Sequence, residues 1–235
     1  MKVFGIDTAV ETGSVAIVED DVLIAEVLLT SRQTHARRLM KAIDTVLSMT
    51  ASHLSDFDGF AVSVGPGSFT GLRIGISTVK GLAFSVGKPI AAVITLDALA
   101  LQFPYARILI CPMLNARKRA VYTALYRAGK DGAVARVSDY AVISPLDWLP
   151  RITEPCLFVG DGIAEYGSLI KQKMGLLAYF APPFLNTIRA SVIAATGMEH
   201  LKNEETDDPG TLVPFYIRPS DAEIKRARPP VFLQK

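Results

Sequence analysis

A chain of 235 residues, half of them apolar, is long enough to bury a substantial core in one large domain or two smaller ones, and it lacks the composition of a disordered polymer. Its 25 Lys and Arg nearly balance its 23 Asp and Glu, for a net charge of +2, so nothing in it resembles a protein that holds nucleic acid by charge alone. No apolar run reaches the length of a membrane span, and Met1 to Ile6 runs into Asp7 too soon for a secretory leader, so a cytoplasmic protein is expected.

In chain order, the first thirty residues read as a three-stranded meander: Lys2 to Ile6, Ser14 to Val18 and Val22 to Leu29, joined by turns at 8–13 and 19–21. A helix is expected over Ser31 to Met49, capped by Ser31, with apolar residues at helical spacing in two rows. One row faces the sheet, and Leu39, Ile43 and Val46 are left to face something else. The run Phe60 to Val64 is too short for a helix and rich in branched residues, hence a strand. A glycine-rich loop, a helix ending near Val86, a strand over Pro89 to Ile94 and a short helix from Leu96 to Leu101 follow.

The pattern then starts again. Strands are expected over Arg107 to Met113, Ala120 to Tyr126 and Ala133 to Ile143, then a short helix over Pro145 to Leu149 and a strand over Cys156 to Val159. Val159-Gly160-Asp161-Gly162 echoes Val64-Gly65-Pro66-Gly67 and again precedes a helical segment, Ile163 to Met174. A further element over Leu176 to Phe180 and a helix over Thr187 to Lys202 close this half. Such self-similarity points to a duplicated βββαβα unit, the α/β architecture of two-lobed actin-like and sugar-kinase-like (ASKHA) domains with a cleft between the lobes. The boundary is placed near Pro104, giving lobes 1–104 and 105–235; the end of the second, rich in proline and charge, reads as an extended tail whose aromatic cluster packs back on the body. Cys111 and Cys156 stand alone in apolar runs and read as buried free thiols.

The organising stretch is Gly65-Pro66-Gly67-Ser68-Phe69-Thr70-Gly71-Leu72-Arg73-Ile74-Gly75. Its glycines suit a loop of close backbone approach, and Ser68 or Thr70 can cap the helix that follows. It is neither a P-loop, since no Lys stands at the required place, nor a dinucleotide fingerprint, since the third glycine comes one residue late. In a two-lobed kinase, an Asp at the first hairpin turn of each lobe faces the cleft. Asp7, with Thr8 and Ser14, fits a phosphate site for ATP or ADP, while Asn115 stands where the second carboxylate belongs and can neither take a proton nor neutralise a cation. No intrinsic cofactor is expected.

Ile6-Asp7-Thr8-Ala9 with Ser14-Val15-Ala16, the glycine stretch, Asn115-Ala116-Arg117 with Val121-Tyr122, and Pro214-Phe215-Tyr216-Ile217-Arg218 together resemble the TsaB family, formerly YeaZ, over nearly the whole chain. The resemblance implies a non-catalytic scaffold subunit of the bacterial machinery that makes N6-threonylcarbamoyladenosine at position 37 of tRNAs reading ANN codons. It implies pairing with the catalytic paralogue TsaD through the first lobe's two helices, an ATPase, TsaE, that joins the pair, and tRNA met through the complex. TsaD binds metal through an H-x-x-x-H pair on the helix after the fifth strand; Thr95 and Leu99 hold those places here, and neither makes a metal site. His35, His53 and His200 are not spaced to replace it. The expected interface combines Leu39, Ile43 and Val46 with Gly71, Gly75 and Thr78 as half of a four-helix contact of roughly 1,600 Å² or more. Two other readings compete: a self-sufficient phosphotransferase of the same fold, and a glycoprotease-like hydrolase, for which no nucleophile with an adjacent base is visible. Whether two copies pair when the partner is missing stays open.

Overall fold

The computed structural model describes residues 1–30 and 34–217. The first sheet is built from β1 (Lys2–Asp7), β2 (Gly13–Glu19), β3 (Val22–Leu29), β4 (Gly59–Gly65) and β5 (Ile90–Ile94), in the order β3-β2-β1-β4-β5. The hairpin strands pair antiparallel, and β1, β4 and β5 run parallel. Alternation along the strands sorts their side chains. Phe4, Ile6, Phe60 and Val62 join one core with α1 (His35–Thr50) and α2 (Phe69–Val86), where Phe4, Phe57 and Phe60 meet with ring centroids 5.1 to 6.0 Å apart. Val3 and Ala61 face the other way, toward α6 (Ala190–Lys202).

The second sheet repeats the order. It comprises β6 (Leu109–Asn115), β7 (Val121–Thr123), β10 (Ala141–Ile143), β11 (Cys156–Val159) and β12 (Ala178–Phe180), arranged β10-β7-β6-β11-β12. The strand expected over 120–126 is interrupted after Thr123, and that over 133–143 after Arg136, so a separate hairpin, β8 (Tyr126–Ala128) with β9 (Val134–Arg136), branches off β6. The break is held by Leu125, whose N–H donates to Ser138 Oγ (2.8 Å) and whose carbonyl accepts from Val137 N–H (2.7 Å). The short α4 (Pro145–Trp148) and the longer α5 (Gly162–Met174) cover one face. Cys111 and Cys156 are buried free thiols there, with Trp148 Nε1 donating to Cys111 Sγ at 3.4 Å. The chain is thus a two-lobed α/β protein from a duplicated unit.

Two sequence expectations are corrected by packing. Residues 190–202, assigned to the second lobe, lie against β1, β4, β2 and β5 of the first. The approach is close: a Cβ at Gly5, Gly59 or Gly197 would come within 3.0 Å of Ala194, Leu201 or Ala61, nearer than real Cβ atoms come. Between the lobes, α3 (Thr95–Leu101) helps fuse the two halves into one core, in which Leu96 and Leu99 meet Ile110, Leu114 and Tyr126, so much of the expected cleft is filled. The described helix α1 begins at His35 with Thr34 as cap residue, and the expected cap Ser31 lies outside the described residues.

Candidate functional site

The glycine stretch closes onto the first hairpin turn. Ser68 caps α2, its Oγ accepting from Gly71 N–H at 3.2 Å, while its own N–H donates to Ala9 O at 2.6 Å. A Cβ at Gly67 would overlap Ala9 O, and at Gly71 and Gly75 would overlap Thr8 O and Thr8 Oγ1, so only glycine allows the helix to seat on this turn. Thr8 Oγ1 returns a hydrogen bond to Gly71 O (2.8 Å).

Asp7, Thr8 and Ser14 come together as the sequence suggests, but they are buried and occupied within the chain. Ser14 Oγ donates to Ile188 O (3.0 Å); Asp7 Oδ1 accepts from Ser63 Oγ (2.5 Å) and Ala9 N–H (3.2 Å). Asp7 Oδ2 is buried without a hydrogen-bond partner among the described residues. Burial raises the Asp7 pKa from 3.8 to about 7, against the opposing pull of Ser63, the turn backbone and the nearby Arg38. The expected open phosphate site is therefore corrected to a closed polar lock, because the glycine turns and the segment before α6 already take its hydroxyls.

The tail lies across the mouth of this loop. Phe215 N–H donates to Val64 O (2.8 Å), and Phe215 O sits 2.6 Å from where a Cβ of Gly65 would be. Tyr216 stacks on Phe69 (5.1 Å), the Arg73 guanidinium lies 3.8 Å from the centre of the Phe69 ring, and Arg73 Nε donates to Tyr216 Oη (3.1 Å). Phe215 also meets Tyr140 of the second lobe edge-on at 5.6 Å. In that lobe Asn115 N–H donates to Asp161 Oδ1 (2.9 Å) and Asn115 Nδ2 to Glu165 Oε2 (2.6 Å). Asp161, its carboxyl pushed up by burial, puts a carboxylate beside the position where Asn115 lacks one. Sequence reasoning missed it, although the echo of the glycine loop at Val159-Gly160-Asp161-Gly162 was the signal.

Thr95 and Leu99 are buried, Thr95 Oγ1 accepting from Gly65 N–H at 3.1 Å. Among the described residues no group of three or more His, Cys, Asp and Glu is placed to hold a metal. The expected partner surface also needs correction. Leu39, Ile43 and Val46 are core residues under α1, and Gly71 and Gly75 pack on Thr8; of the six, only Thr78 stays half-exposed. The outward face of the two helices instead carries Met40 (52 % exposed), Phe84 (86 %), Ser77 and Gly81, the last with open space around it. The register slipped because both rows of α1 are apolar in sequence, and the sheet takes the branched one.

The order of the sheets and the paired glycine turns define the actin-like and sugar-kinase-like class, and the chain resembles the inorganic polyphosphate/ATP-glucomannokinase of Arthrobacter sp. strain KM in fold (TM-score 0.50, 12 % identity, 86 % of this chain and 99 % of that one). Within that class the match narrows. Residues 23–226 fit the family model described as TsaD: tRNA N6-adenosine threonylcarbamoyltransferase. The chain is 33 % identical over 228 residues to the tRNA threonylcarbamoyladenosine biosynthesis protein TsaB of Bacillus subtilis (strain 168), covering 96 % of this chain and 97 % of the relative. YeaZ from Pseudomonas aeruginosa superposes with a TM-score of 0.75 at 24 % identity, over 92 % of this chain and 99 % of that one. The chain belongs to the TsaB family of tRNA threonylcarbamoyladenosine biosynthesis proteins.

Proposed function

We propose that the chain is the non-catalytic scaffold subunit of a cytoplasmic tRNA N6-threonylcarbamoyladenosine modification complex, pairing with a TsaD-like catalytic subunit and supporting a TsaE-like ATPase. The observation that carries this reading is the near-full-length relationship to the Bacillus protein, in a chain whose Thr95 and Leu99 are taken up by its own packing. The closed lock at Asp7, Thr8 and Ser14 supports it over a self-sufficient phosphotransferase, since a phosphate there must displace three internal hydrogen bonds. No helix among the described residues is long and apolar enough to cross a membrane.

The partner face is the outer side of α1 and α2. Phe84 is a large exposed aromatic of the kind that anchors interfaces, and the open space at Gly81 lets a neighbouring helix approach. Phe84→Arg and Gly81→Arg leave the fold intact and abolish co-purification with the catalytic subunit. Depleting the protein from cells and resupplying it lowers and then restores threonylcarbamoyladenosine in tRNA, measured by mass spectrometry. An unchanged level on depletion refutes the pathway assignment; normal pairing by both arginine variants refutes the surface.

A further inference from the structure

A cavity of about 230 Å³ opens between β5, α3 and α6 on one side and the β8–β9 hairpin on the other. Val93, Ile94, Leu101 and Val134 give it apolar walls. Pockets for drug-sized ligands run to roughly 300–1,000 Å³, so the occupant is smaller than a nucleotide. Two opposite charges line it, each fixed by neighbours. Asp97 Oδ1 accepts from Tyr126 Oη (2.6 Å), and both Asp97 oxygens lie 2.8 Å from Tyr140 Oη. Burial, together with the adjacent carboxylate, pushes both phenols above their ordinary pKa, so they remain donors. The Arg136 guanidinium stacks 4.1 Å over the Tyr140 ring and donates to Ser138 O (2.6 Å). Arg136 pairs with the exposed Asp139 at 3.9 Å and not with Asp97, although Asp97 and Arg136 line the same small space.

We propose that this pocket binds a small zwitterion of the α-amino-acid class, its ammonium on Asp97 and its carboxylate on Arg136. A fixed anion and a fixed cation held apart across apolar walls match a molecule that carries both charges on a short spacer, and a singly charged ligand engages only one of them. Preorganisation by Tyr126 and Tyr140 limits the ordering cost of binding. Thr196 and His200, one helical turn apart on α6, add polar contacts to the same wall. Because residues of both lobes line the pocket, the occupant bridges them. This inference is independent of the scaffold reading.

The test titrates each of the twenty protein amino acids into the full-length chain by calorimetry and ligand-detected NMR, into the tens of millimolar. At least one shows saturable one-to-one binding. Asp97→Asn and Arg136→Gln each weaken it by at least about tenfold, or about 1.4 kcal/mol. The binder's decarboxylated amine is insensitive to Arg136→Gln, and its deaminated acid is insensitive to Asp97→Asn. Arg136 lies on an exposed hairpin, so its variant decides the matter even where Asp97→Asn loosens the tyrosine network. No saturable binding by any amino acid, or unchanged affinity in Arg136→Gln, overturns the proposal.

Discussion

Replacing Asp7 by Asn isolates the energetic effect of the buried lock. In the unfolded chain an aspartyl carboxyl ionises near 3.8, and in the folded protein near 7. Between those values the folded state holds a proton that the unfolded chain has released, so raising the pH favours unfolding. The rise corresponds to about 4 kcal/mol once complete, a sizeable part of the roughly 5–15 kcal/mol by which domains are stable. Asn keeps an acceptor for Ser63 Oγ and cannot ionise. Urea unfolding of both proteins at fixed ionic strength, from pH 5 to pH 8, therefore shows the wild type losing about 3 kcal/mol relative to Asp7→Asn, with other titrating groups cancelling in the difference. A flat difference across that range refutes the reasoning. A difference of opposite sign means that Arg38 holds Asp7 ionised in the fold and that burial is not the governing effect.

Three further outcomes follow from packing. Glu26, with its side chain 5 % exposed, accepts from Arg189 Nε at 2.7 Å and from Ser191 N–H and Oγ at 3.1 Å, and also pairs with Arg189 Nη2; Glu26→Ala strands these donors at the start of α6 and costs about 2–3 kcal/mol, read as a fall in Tm of roughly 5–10 °C. Gly197→Ala, a change that elsewhere in a helix adds up to about 1 kcal/mol, here destabilises by about 1–3 kcal/mol, because the new methyl overlaps Ala61 Cβ; a raised chemical-denaturation midpoint contradicts the close approach of α6. Leu39→Arg unfolds the protein, as circular dichroism reports, since it buries an uncompensated charge under α1; a folded variant that merely loses its partner restores the interface first expected from the sequence.

Much of the architecture was legible because the relevant signals are local. Strand lengths, the shift from period two to helical period, and the repeat of a glycine turn after an apolar strand point to the duplicated unit. The errors share a different origin. Which of α1's two apolar rows meets the sheet depends on helix azimuth, which periodicity leaves undetermined, and Leu39, Ile43 and Val46 were placed outward for that reason. Asp7, Thr8 and Ser14 were correctly brought together, but the partners that close them, Gly71, Ser63 and Ile188, lie far along the chain. The pocket built from Asp97, Tyr126, Tyr140 and Arg136 depends on the break after Thr123, itself set by Ser138, which bonds Leu125 from thirteen residues further on, and no window of the sequence displays it.

The return of α6 to the first sheet has a consequence for synthesis on the ribosome. The face made by Gly5, Gly59 and Ala61 emerges early, yet its cover, α6, is translated only after every strand of the second sheet. Until then the nascent chain carries an apolar sheet surface with no lid, a state prone to association and suited to chaperone capture. Neither half is therefore a natural unit for separate expression: a fragment ending at residue 104 lacks one side of its own sheet, and one beginning at 105 carries an orphan helix.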